Sequence, residues 1–557
     1  MYTYKFLTGA IAIGLLVCIT GSSCSKQIDD AYLNPNASVV EPIEQLLPSV
    51  IANFTAGGNT GNTGNGVAGD ALQIGRYVQF WAQNSDDYLY DQMGGTTGAS
   101  SGVLGYVWTM HYAASGQNIN KIIEWGSQQK KWDYVGVAWA IRAWSWLTLS
   151  DEYGNIILRE AFQLSRTQFD YDTLQAEAYD TVRVTAYRAL TYLNMTGDSV
   201  SQANLAKGDA YFYGGDVSKW KKFVYGVLAR SYAHLTNKPD FNSKYADSVL
   251  KYTQLALTTN DDNGLVHFAN TGVSYTKNYF GPSRGNVGSI RQTYFIANLL
   301  SGNNSVFPGV QDPRIWYLIR ENPNGTFEGI RPTYGGTSDI GLPSTNDYPQ
   351  NFFGGAYTST AGTDAAARYL FRDEAPWPMM TASEMQFDRA EAAYRKGDKA
   401  TALDAYKNGI SMNIDMLQQN YGANVPAAGL ITDATKQAYL NNPVVVPTDP
   451  ASLTITQIML QKYIALYVWG AHETWVDMRR YHYTDKDPDR PGVQVYTDWQ
   501  PLDPSDIALP NNKNYVYRCR PQNTSEYQYN IIAVTAMGGT APDYCTREVW
   551  FSTPNAQ

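Results

Sequence analysis

Residues 455–483, ITQIMLQKYIALYVWGAHETWVDMRRYHY, constrain this chain more than any other stretch. Apolar side chains recur every fourth residue, at Ile455, Met459, Tyr463, Tyr467, Ala471 and Trp475, and so form one stripe along a helix. Leu460, Ile464 and Val468 lie beside it, which predicts a broad-faced, buried helix. Its far half is charged. Glu473, Asp477 and Arg480 share a face, so one guanidinium can bridge two carboxylates. Arg479, four residues after Trp475, can stack on the indole. Adjacent arginines hold carboxylates ionised, whereas a general acid needs the reverse, so the cluster reads as a structural clasp.

Other stretches share this helical character. Residues 41–54, 72–84, 106–124, 133–151, 173–194, 217–235 and 243–258 read as helices, and 289–300 reads as one more. AEAAYRKGDKATALDAYKNGI, residues 390–410, has the Tyr394, Gly397, Asp398, Ala402, Tyr406 and Ile410 spacing of a tetratricopeptide helix–turn–helix. The fold class expected is mainly α. About four helix pairs would stack into one tetratricopeptide-like scaffold, roughly residues 133–258 and 380–483. Residues 259–379, rich in Gly, Pro, Asn and Tyr, form a long irregular region, and such regions are usually functional. Residues 484–557 close the chain.

QKYIALYVWGAHETWVDMRR resembles the C-terminal signature helix of the SusD/RagB family. Four further features resemble that family in order along the chain. They are Asn34-Pro35-Asn36, the Arg142-centred helix before Tyr153-Gly154, Asp312-Pro313-Arg314, and a tail bearing Arg518, Pro521, Glu526 and Asn530. The resemblance implies a lipid-anchored, surface-exposed outer-membrane protein of the Bacteroidetes. Such a protein captures an oligosaccharide, passes it as a hinged lid to a SusC-like TonB-dependent transporter, and performs no chemistry. A peptide-capturing, RagB-like receptor is the rival within the family, and a secreted hydrolase the rival outside it.

The N-terminus reads as a lipoprotein signal peptide over residues 1–23. Lys5 precedes an apolar run from Phe6 to Ile19, too short to span a bilayer. Gly21-Ser22-Ser23 then leads into Cys24, the expected lipidation site, although Gly21 stands where leucine is usual. Several acyl chains on one residue attach a protein durably, and Asp29-Asp30 resembles a surface-export signal. The mature unit is then 24–557. Cys519 and Cys545 remain, and in an oxidising compartment such a pair is expected as a disulfide.

The formal charge of −9 argues against a nucleic-acid partner. Three motifs fit chemistry by count alone. Gly64, Gly66 and Gly69 match G-x-G-x-x-G with no strand before them. Gly281-Pro282-Ser283-Arg284-Gly285 matches a nucleophile elbow, but only His472 and His482 follow it. Asp485, Asp487 and Asp489 begin like a calcium loop, yet Tyr496 replaces the closing Glu. No cofactor or resident metal is expected beyond that one candidate.

With 42 Tyr and 14 Trp, the chain is well supplied with rings that present an apolar face and a polar tip. Sugars need rings to stack on and Asn, Asp or Arg to bond their hydroxyls. Residues 81–90 and 275–357 combine both, and the family resemblance implies ligand loops in these two regions. By position, Trp81, Asn84, Asp86, Tyr88, Tyr279, Trp316 and Tyr334 are the candidate ligand contacts.

Overall fold

A computed structural model describes residues 42–53, 66, 70–94, 105–163, 165–271, 276–278 and 287–554. The signal peptide, Cys24, Tyr279, the 281–285 motif and most of the 64–69 motif lie outside them.

Helices α1 (Ile43–Ala52), α2 (Asp70–Tyr77), α3 (Ser115–Gln128), α4 (Trp132–Tyr153) and α5 (Gln175–Leu193) precede α6 (Val217–Ala233) and α7 (Ala246–Leu255). After the irregular region come α8 (Ala382–Arg395), α9 (Lys399–Asn420), α10 (Ile455–Ala465) and α11 (Ala471–Arg480). The pairs α4/α5, α6/α7 and α8/α9 pack in succession, and α10 lies against α8 and α9. Helix α4 is apolar all round and is accordingly buried nearly all round. Helices α8 and α9 are hinged at Gly397 (φ 82°), a left-handed turn that favours glycine. Asp398 then caps α9 by accepting from the Thr401 N–H. Gly409 lets α9 approach the Phe387 ring, where a Cβ would sit 2.9 Å from the ring carbons.

The signature stretch is two helices, not one. Thr454 and Gln457 form a capping box that starts α10. The helix ends at Ala465 and restarts at Ala471. Val468 has φ 76°, outside helical space. The Tyr463 and Tyr467 hydroxyls donate to the carbonyls of Val78 (2.9 Å) and Phe80 (3.3 Å), and the Phe80 ring meets both tyrosines edge-on. The run leaves the helix after Ala465 despite its helical spacing, with Tyr467 bonded to Phe80 inside the break.

The charged face is likewise wider than one helix. Arg480 binds Asp477 as expected, but its second carboxylate is Glu391 of α8 (2.8 and 3.0 Å), not Glu473. Glu473 instead pairs with Arg230 (3.2 Å) and His234 (2.9 Å). Arg230 also grips Glu384, and Lys462 bridges Asp388 and Asp477. Every member is buried. Arg479 does lie over the Trp475 indole, 3.6 Å from the ring centroid. His234 sits between Asp151 (3.3 Å) and Glu473. Burial opposes its charge, but the two carboxylates raise its pKa to about 9.

Two stretches expected to be helical each contain a strand. Residues 72–84 split into α2 and β1 (Trp81–Gln83), and 289–300 into β3 (Ile290–Gln292) and a short helix, Tyr294–Ser301. Strand β1 pairs antiparallel with β3, and β2 (Gly264–Val266) with β4 (Trp377–Met380). The irregular region docks on the scaffold through Asp312-Pro313-Arg314. Arg314 binds Asp312 (2.8 Å) and Asn413 of α9 (2.9 Å), and Tyr439 caps Asp312 (2.7 Å). The tail wraps back over α4 and α5. Cys519 N–H donates to Glu152 O (2.8 Å) and Trp550 N–H to Gln175 Oε1 (2.7 Å).

Cys519 and Cys545 are not joined by the expected disulfide. The two segments meet through backbone, Tyr517 and Arg518 N–H donating to Cys545 O at 2.8 and 3.2 Å. Both side chains are buried in the apolar core as thiols. Burial, with the nearby Glu152 carboxylate, pushes the Cys519 thiol up.

Candidate functional site

The site is built on the turn after β1. At the end of α2, Arg76 reaches Asp91 (2.9 Å) and Gln83 (2.8 Å) and lies 4.4 Å from the Tyr88 ring centroid. The Gln83 N–H also donates to Asp91 (2.8 Å). This buried ion pair fixes the loop between its two ends.

Pairing with β3 then brings the second region alongside, Trp81 opposite Gln292 and Gln83 opposite Ile290. Asn84 continues the edge. Its N–H donates to Ser289 O (2.9 Å) and its side-chain amide to Tyr357 O (3.3 Å). Asp87 N–H donates to Thr333 O (3.0 Å), with both residues at positive φ, 52° and 69°. Such backbone, disfavoured above all for a β-branched threonine, persists where surrounding structure over-determines it and clusters at functional sites. Asp86 forms a bridge with Tyr334 and accepts from the Gly336 N–H (2.5 Å).

The result is one surface from two distant stretches. Asp86 and Asp87 are exposed, and Asn84, Tyr88 and Tyr334 are half-buried. Three residues not singled out from the sequence join it. Arg331 lies 4.6 Å from the Tyr334 ring centroid, Asp506 accepts from the Tyr334 hydroxyl (2.8 Å), and Tyr348 packs on Tyr357 (5.3 Å between centroids). Asp506 belongs to the closing segment, and no local pattern there marks it. Rings flanked by carboxylates, an amide and a guanidinium suit a polyhydroxylated ligand.

Two candidates are placed elsewhere. Trp81 is fully buried, a core residue and not a stacking platform. Its indole N–H donates to Leu72 O (2.9 Å), and its ring fills a slot beside Gly75, where a Cβ would lie 2.3 Å from it. Trp316 packs edge-on against Phe327 (4.8 Å) and over Gly429. It lines a separate cavity of about 320 Å³ with Asp312 and Tyr439.

The acidic turn directs its carboxylates to different partners. Asp485 binds His482 (2.7 Å), Asp487 binds Thr456 (2.7 Å) and Arg490 (3.2 Å), and Asp489 binds Lys399 (2.8 Å) and Tyr394.

A family model described as starch-binding, associating with the outer membrane, matches residues 35–494. No curated protein matches the chain. Among solved structures, a SusD/RagB family protein from Bacteroides thetaiotaomicron is 19% identical with a TM-score of 0.65, covering 92% of this chain and 99% of its own. A SusD homologue from Bacteroides fragilis is 18% identical with a TM-score of 0.66, over 92% and 100%. A chitin-binding SusD homologue from Flavobacterium johnsoniae is 17% identical with a TM-score of 0.63, over 92% and 99%. These likenesses establish a shared fold.

Proposed function

Since the chain belongs to the SusD-like family of outer-membrane-associated, glycan-binding and non-catalytic proteins, we propose that it captures an oligosaccharide at the Asn84–Tyr334 surface and hands it to a SusC-like TonB-dependent transporter. The observation that carries this reading is the Asp86–Tyr334 bridge, which sets an acidic turn beside a tyrosine some 250 residues away. Sugar C–H faces would stack on Tyr334 and Tyr88, while Asn84, Asp86 and Arg331 bond hydroxyls. The chitin-binding relatives support including β-linked amino-sugar oligomers among the ligands.

Anchoring belongs to the same proposal. Among the described residues no helix is long and apolar enough to cross a membrane. Lipidation at Cys24 would hold the protein at the outer membrane beside its transporter.

Calorimetry against maltooligosaccharides, chitooligosaccharides and short peptides tests the reading. A glycan is expected to bind, and Tyr334→Ala to weaken it by about 1–3 kcal/mol, by analogy with other aromatic stacking contacts, with an unchanged melting temperature. Saturable binding of peptides alone would assign the surface to peptide capture.

A further inference from the structure

A cavity of about 580 Å³ lies away from this surface. It lies between two π-helical turns, Met110–Ala114 and Asn523–Tyr527, and a loop described over residues 161–163 and 165–169. π-turns are rare and frequent at functional sites. Phe162 in that loop has φ 64°, an uncommon backbone for a bulky residue. Its ring is backed by the Arg142 guanidinium at 4.2 Å, itself held by Gly116 O and Asn120.

Four of its lining residues carry rings: Trp108, Tyr112, Phe162 and Phe169. Trp108 and Tyr112 lie 4.8 Å apart, centroid to centroid. The Tyr112 hydroxyl is consumed by Ile157, donating to its carbonyl (2.7 Å) and accepting from its N–H (3.0 Å). Two charged residues line it, Arg166 and Glu526, the latter only 8% exposed. Tyr171 (2.7 Å), Asn530 (3.0 Å) and Ser525 (3.1 Å) donate to its carboxylate, all of them neutral. Among the described residues no basic side chain pairs with Glu526. Arg166, at the rim, pairs with Glu160 (2.8 Å).

We propose that this cavity is a second binding site, which takes a small organic ammonium ion between the Trp108, Tyr112 and Phe162 rings and the Glu526 carboxylate. A carboxylate removed from water without a countercharge is costly, and a cationic ligand offsets that cost. Ring faces attract the same charge. The volume falls within the roughly 300–1,000 Å³ of small-molecule sites. The proposal is independent of the glycan surface and shares no residue with it.

The test is titration calorimetry on the full chain with glucosamine, N-acetylglucosamine and glucose, which share a ring and differ in charge. Glucosamine is expected to bind at least tenfold more tightly than either neutral sugar. Glu526→Gln, which keeps the carboxylate's shape, should remove that preference. Ala161→Trp should fill the cavity and abolish binding without touching Glu526, its fold checked by an unchanged melting curve. Glucosamine binding should survive Asp86→Ala. Absence of glucosamine binding, equal binding of glucosamine and N-acetylglucosamine, or binding retained in a folded Ala161→Trp variant would each overturn the proposal. Loss in Asp86→Ala with retention in Ala161→Trp would assign the amine to the glycan surface instead.

Discussion

His234 folds into a setting that charges it. Asp151 and Glu473 outweigh desolvation and raise its pKa from 6.5 to about 9. A raised histidine pKa contributes stability that is complete below the unfolded value and lost as pH rises through the folded one. The wild-type melting temperature should therefore fall between about pH 6.5 and pH 9, more steeply than that of His234→Gln. Parallel melting curves across that range would refute the assignment. Trp81 makes a contrasting prediction. As a buried indole, its replacement by alanine should cost about 3–5 kcal/mol, read as an early thermal transition, whereas Tyr334→Ala should melt normally. The polar turn around Asn84 and Asp86 was legible because Asn, Asp and Tyr crowd together there. Trp81 was misread because its burial depends on the slot at Gly75 and the pairing of β1 with β3, neither of which is a local pattern.

Periodicity carried most of the helices. It located α4 to α7 within a few residues, and the Gly397 turn between α8 and α9 by its residue types. It failed at residues 466–470, where Tyr467 and Val468 keep helical spacing while the backbone leaves the helix, Val468 at positive φ and Tyr467 bonded to Phe80 O. It also misassigned the partner of Arg480, because Glu391 lies 89 residues away on α8. Arg480 and Arg395 hold Glu391 well below the usual carboxylate range, against the burial that opposes its charge. Arg480→Ala would leave Glu391 and Asp477 short of a buried cation, costing about 3–5 kcal/mol in denaturant unfolding. A change under about 1 kcal/mol would show that Lys462 and Arg395 suffice. At the α8–α9 hinge, Gly397 has open space where a Cβ would go. Gly397→Ala should therefore cost only the left-handed backbone, about 1–2 kcal/mol, and leave binding unchanged.

The molecule joins a regular helical scaffold to an irregular region. What composition could not show is how the two parts meet: the β1–β3 pairing, Asp506 reaching Tyr334, and the buried Asp312–Arg314 pair docking on α9. If Cys24 carries the anchor, Cys24→Ala protein should leave the membrane fraction, and glycan affinity measured on the released protein should be unaltered. Retention in the membrane would refute that anchor. The hydroxyls of Tyr463 and Tyr467 bear on the order in which the chain becomes competent. They secure Val78 and Phe80, 385 and 387 residues earlier, immediately before the strand that founds the ligand surface. Contacts of such separation form late, because a long loop must close first. A chain emerging from an export channel therefore holds Asn84, Asp86 and Tyr334 long before it can bind anything. A version ending before Thr454 would contain most of the ligand contacts and yet lack the fastening that aligns them. If the Asn84–Tyr334 surface captures glycan as proposed, the early part of the chain gains that capacity only once its last fifth has folded.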